Sequence, residues 1–79
     1  MRLDKWLKVA RIIKRRTVAK EVCDAGRVQV NGRIAKAGTE IKVGDQVSLT
    51  MGPKSVNVKV LATPDTVPAG EAHTLYEEL

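Results

Sequence analysis

The 79-residue sequence contains no Phe, one Trp and one Tyr. Its core must therefore be built from Val, Leu, Ile and Ala. A chain this short buries only about 60% of its unfolded surface, which leaves little room for a deep substrate cavity. Histidine is nearly absent too: His73 stands alone in a C-terminal stretch that reads as solvated. The single cysteine, Cys23, excludes an intramolecular disulfide, and a reducing, cytosolic compartment is the simplest inference. With no His in reach, Cys23 reads as a small buried hydrophobe rather than a nucleophile. No Cys, His and carboxylate cluster has metal-ligand spacing, and Gly32 to Gly38 lacks the Gly-Lys-Ser/Thr ending of a phosphate loop. No constellation that could run a reaction is visible, so the reading is not an enzyme, with no cofactor and no metal. Apolar runs are short: Lys5, Lys8 and Arg11 interrupt the first candidate, so neither a membrane span nor a secretory signal is expected.

Acidic residues are scarce where basic ones gather. The net charge is +5, but residues 1–20 hold eight basic groups against Asp4 alone, a local charge of +7. Residues 21–42 carry +1 and residues 43–79 carry −3. A surface shaped only for solubility intersperses signs. A basic face on a small domain is the footprint of a polyanionic partner.

Hydrophobic spacing places that charge. Leu3, Trp6, Leu7, Ala10 and Ile13 recur at intervals of three and four and predict a helix over 3–14. Lys5, Lys8, Arg11 and Arg15 then fall on the opposite face. Such a helix could lie on an anionic membrane, but the rest of the chain needs its apolar face for a core. Thr17 is the expected N-cap of a second helix over 18–25, with Val18, Val22 and Ala25 inward and Gly26 ending it. The period then changes to two. Val28 to Val30, Asn31-Gly32 and Arg33 to Ala35 predict a tight hairpin. Residues 40–43, 46–50 and 56–61 are further strand candidates. Pro64, Pro68 and Gly70 argue against regular structure from Thr63 onward. The expected architecture is α+β: two helices on a small bent antiparallel sheet over residues 1–63, with a flexible acidic tail over 64–79.

The partner's chemistry follows by elimination. Lys20, Glu21 and Asp24 point out from the second helix, a poor set for reading bases in the major groove. Aromatics to stack unpaired bases are missing. What remains is Arg and Lys set against phosphates, which suits folded RNA. Arg is the better phosphate clamp because its guanidinium pairs bidentately.

Four segments carry a resemblance: Arg2-Leu3-Asp4-Lys5-Trp6-Leu7, Arg15-Arg16-Thr17-Val18-Ala19-Lys20-Glu21-Val22, Gly26-Arg27-Val28-Gln29-Val30-Asn31-Gly32 and Val43-Gly44-Asp45-Gln46-Val47. In order and spacing they resemble the RNA-binding domain named after small-subunit ribosomal protein S-four, also called the alpha-L motif. The whole chain is similar to that family's short stand-alone RqcP (YabO) type. The resemblance implies a factor of ribosome-associated quality control on the stalled large ribosomal subunit. It implies contacts to large-subunit rRNA and peptidyl-tRNA, and support of RqcH in adding C-terminal alanine tails. It further implies a cytoplasmic, ribosome-associated protein, monomeric off the ribosome and not bound to membrane. By resemblance the RNA-binding positions are Arg2, Lys5, Arg15, Arg16, Thr17, Lys20, Arg27 and Asn31, with Lys8 and Arg11 added by helical geometry. Two alternatives remain open: a heat-shock-type protein that recycles free large subunits with a stranded nascent chain, and the RNA-docking subunit of an rRNA-modification enzyme.

Overall fold

Leu3, Trp6 and Leu7 wind the first helix, α1 (Leu3–Val9), and all three are fully buried. In the computed structural model, which describes residues 1–79, α1 ends well short of the predicted 14. The stop is Arg11, whose φ of 56° is left-handed. Arg11 N–H bonds Lys8 O at 3.0 Å and Ile12 N–H bonds Leu7 O at 3.1 Å, the paired closure of a Schellman turn. Ile13 still reaches the core, because the turn redirects the chain inward.

The second helix, α2, is Arg16–Asp24. Its N-cap is Arg15 and no side chain caps it, so the expected Thr17 cap is corrected: Thr17 lies inside the first turn. The inward line is also corrected. Ala19 and Cys23, four apart, are fully buried, while Val18 and Val22 flank them and Ala25 is exposed. Gly26, at φ 78°, makes the same closure as Arg11: its N–H bonds Cys23 O and Arg27 N–H bonds Val22 O. Here a glycine carries the left-handed turn at no steric cost.

Strands β1 (Val28–Val30), β2 (Arg33–Ile34), β3 (Gln46–Met51), β4 (Lys54–Val60) and β5 (Tyr76–Glu78) form one antiparallel sheet in the order β2-β1-β3-β4-β5. Asn31 and Gly32 both have positive φ in the two-residue loop between Val30 and Arg33, as a type I′ hairpin requires. Residues 40–43 are not a strand. Glu40 makes only an isolated bridge to Arg2, and the loop around it serves the start of α1 instead. Leu3 N–H bonds Thr39 O and Asp4 N–H bonds Ala37 O, satisfying two donors that a helix N-terminus leaves open.

The expectation of a tail without regular structure is likewise corrected. Residues Ala69–Leu75 form a 3-10 helix, and β5 pairs with β4 through Val60↔Tyr76 and Val58↔Glu78. Leu75 is buried, and its carbonyl accepts from Leu61 N–H at 2.8 Å. Trp6 joins the two ends of the chain. Its Nε1–H donates to Ala62 O at 3.0 Å, and its ring meets Tyr76 edge-on at 6.4 Å. No helix is long and apolar enough to cross a membrane.

Candidate RNA-binding face

Asp4 is the one buried charged residue among those described. Its first oxygen accepts Lys5 N–H at 2.8 Å and Arg2 Nε at 3.2 Å; its second accepts Arg2 Nη2 at 3.3 Å and Arg16 Nε at 3.4 Å. A buried carboxylate is costly unless paired and hydrogen-bonded, and here it is both. The two guanidiniums remain about half exposed, 51% and 47% at the side chain. One acid thus fixes two Arg side chains from different helical segments side by side, each with donors left for solvent or a ligand. Gly38 lies beside the Arg2 guanidinium, where an added Cβ would stand 3.9 Å away, in ordinary contact. Lys20 follows Arg16 by one helical turn, extending the cationic line along α2. Arg15 and Thr17 are exposed on either side of Arg16.

A second group forms where α1 ends. Lys8, Arg11 and Lys14 line an open cavity of about 370 Å³ whose far wall is Asp65, Thr66 and Val67. Lys5 stands at its edge and pairs with Asp65 at 3.1 Å. Lys14 was not among the residues the sequence pointed to; in a helix running to 14 it would follow Arg11 by one turn but stand about 120° from Lys8. The left-handed turn at Arg11 is what gathers the three.

The structure separates Arg27 and Asn31 from these groups. Arg27 follows the C-terminal end of α2, at the rim of an apolar cavity with Val22, Ala25 and Met51. Asn31 is occupied: its Nδ2 donates to Asp45 Oδ1 at 3.0 Å and its Oδ1 accepts Gln46 N–H at 2.9 Å. That side chain ties the hairpin to the turn before β3. Asp4 is the member of the Arg2–Arg16 cluster that the sequence hid. Its only signal was being the one acid among eight cations.

Cys23 is buried on the inner face of α2, and burial pushes its thiol up to about 11, with Asp4 and Asp24 adding to the rise. A neutral, enclosed thiol is packing, not chemistry. Among the described residues no group of three or more His, Cys, Asp or Glu could hold a metal ion.

The S4 domain family matches residues 1–47, the segment that contains both helices and the first hairpin. The chain is 57% identical over 77 residues to the "RQC P-site tRNA stabilizing factor" of Halalkalibacterium halodurans, covering 98% of this chain and 88% of that one. It is equally similar to the protein of that name from Streptococcus pneumoniae, with the same coverage. Among solved structures, the trimeric heat shock protein 15 of Vibrio cholerae superposes with a TM-score of 0.92 at 35% identity, covering all of this chain and 81% of that one.

Proposed function

The chain belongs to the S4 domain family, and we propose that it is an RNA-binding factor of ribosome-associated quality control. It binds the large subunit that carries a stranded peptidyl-tRNA, contacts rRNA and tRNA together, and supports alanine tailing by RqcH. The observation that carries this reading is the Arg2–Asp4–Arg16 cluster. Two guanidiniums held at fixed separation by one buried carboxylate grip backbone phosphates with little side-chain entropy left to lose. Identity to relatives named for stabilizing a P-site tRNA supports the choice of RNA.

The mechanism is positioning. The protein is a rigid cationic wedge that makes and breaks no bond, cytoplasmic and a monomer when off the ribosome. If about six cations meet phosphates, log affinity falls with log salt at a slope of about −4 to −5.

The test is sucrose-gradient co-sedimentation of the tagged protein, with and without RqcH. It is expected on large subunits enriched in peptidyl-tRNA, and Arg16→Ala is expected to leave that peak while remaining folded. Unchanged co-sedimentation of Arg16→Ala would remove the cluster from the argument. The close superposition on heat shock protein 15 favours one second reading, a subunit recycler independent of RqcH. Deleting RqcH separates the two: a recycler keeps its place on nascent-chain-bearing subunits, and no alanine tails depend on it.

A further inference from the structure

We propose that the cavity between the end of α1 and residues 65–67 is a second phosphate-binding site, separate from the Arg2–Arg16 pair and taking the sugar–phosphate backbone of RNA. The inference rests on the RNA-binding reading above and adds a place, a wall and a residue to it.

Three observations carry it. Lys8, Arg11 and Lys14 converge on one cavity, and among the described residues none of the three makes an ion pair. The single acid in the lining, Asp65, is already engaged by Lys5, so the charge of the three lining cations, +3, is left uncompensated. Like charges held this close repel, and an arriving anion relieves the repulsion. The convergence is also strained. Arg11 is left-handed, a state that costs a side-chain-bearing residue about 1–2 kcal/mol, and glycine serves the equivalent turn at Gly26. A straight continuation of α1 would avoid that cost but would turn Lys14 away from Lys8. Strain kept where a charged cluster is assembled points to a binding role for the cluster. Thr66 adds a hydroxyl that can donate to a phosphate oxygen. The wall at 65–67 lies outside the residues matched to the S4 domain, so this site does not follow from that match.

Arg2 and Arg16 gather around Asp4, whereas the cavity gathers around Asp65 and Thr66. Two clamps with separate anchors can hold two backbone segments at once, which a wedge between RNAs needs.

The experiment places a benzophenone side chain at Thr66 in one full-length variant and at Glu21 in another. Glu21 is exposed on α2, one turn from Thr17, and reports on the α2 face rather than on the cavity. Each is irradiated on large subunits carrying peptidyl-tRNA. RNA cross-links are expected from both positions. Lys8→Gln combined with Lys14→Gln, both at exposed positions, is expected to lower the Thr66 cross-link at least tenfold and the Glu21 cross-link less than threefold. RNA cross-linked from Glu21 but not from Thr66 would overturn the second site and leave the RNA reading intact. Equal loss at both positions in the double variant would also overturn it, since the cations would then act as one diffuse field. No RNA from either position would overturn the RNA reading and the inference with it.

Discussion

Replacing Asp4 with Asn separates two accounts of how this surface works. By charge alone the change should help, because it removes the only acid in residues 1–20 and raises the net charge to +6. By geometry it should harm. The Asn carbonyl can still accept Lys5 N–H, but the new NH₂ group faces donors from Arg2 and Arg16 instead of accepting them. Both guanidiniums are half exposed, so each pairing is discounted to about 0.5–1 kcal/mol. Leaving a buried amide without acceptors costs about 1 kcal/mol more. The sum is about 2–3 kcal/mol, against a total of about 4–12 kcal/mol for a domain of this size. The variant should therefore fold, with a melting midpoint lower by about 10–20 °C. Urea denaturation at unchanged slope reads the stability. Large-subunit binding at two salt concentrations reads the function, and it should weaken despite the added positive charge. Binding as tight as the parent's, or tighter, would refute the idea that Asp4 matters by orienting Arg2 and Arg16. A stability loss under about 0.5 kcal/mol would refute the packing side of the argument.

Other consequences follow from particular contacts. Arg11→Gly should be more stable than Arg11→Ala by about 1 kcal/mol, since only glycine relieves the left-handed strain, while both weaken RNA binding alike; chemical denaturation of the pair checks this, and equal midpoints would argue against strain at residue 11. Cys23 should resist iodoacetamide at pH 8 in the native chain and react once unfolded in urea. The unfolded thiol titrates near about 8.5 and the folded one at about 11, so stability is full below the lower value and declines as pH rises toward the higher. Comparable alkylation rates in the two states would contradict its enclosure. Trp6→Phe removes the Nε1–H donor to Ala62 and should cost about 1–2 kcal/mol. Amide exchange at Leu61 and Ala62 should accelerate more than at β1, and uniform acceleration would show that the bond does not anchor that segment.

What the sequence made legible was what its residues encode locally. Asn31-Gly32 and Gly26 announce positive φ by residue type, and both turns are where the pattern put them. Val28, Val47 and Val58 alternate with exposed neighbours, so their strands were readable from period alone. The end of α1 was not, because an arginine in a left-handed turn looks like any helical arginine. The strand at Tyr76–Glu78 was hidden for another reason. Its stability comes from pairing with β4 and from Trp6, seventy residues away in sequence, not from its own three residues. Within the candidate site, Arg2 and Arg16 were visible as cations, but their joint dependence on Asp4 exists only in three dimensions. Lys14 entered the cavity by the same unreadable turn, and the two bonds of the Asn31 amide to Asp45 and Gln46 join segments that only the fold brings together.

The contact between Trp6 and Ala62 also has a consequence in time. A ribosome makes α1 and α2, with most of their cations, long before it makes the segment that covers Trp6. Until residues 61–76 have emerged, the indole has no acceptor and the apolar face of α1 lacks part of its cover. Pairings at such sequence separation form late in folding. A partly synthesised chain therefore carries Asp4 and its two arginines before the apolar face of α1 is fully covered. What the late segment adds is the cover over Trp6 and the wall at 65–67 that faces Lys8, Arg11 and Lys14.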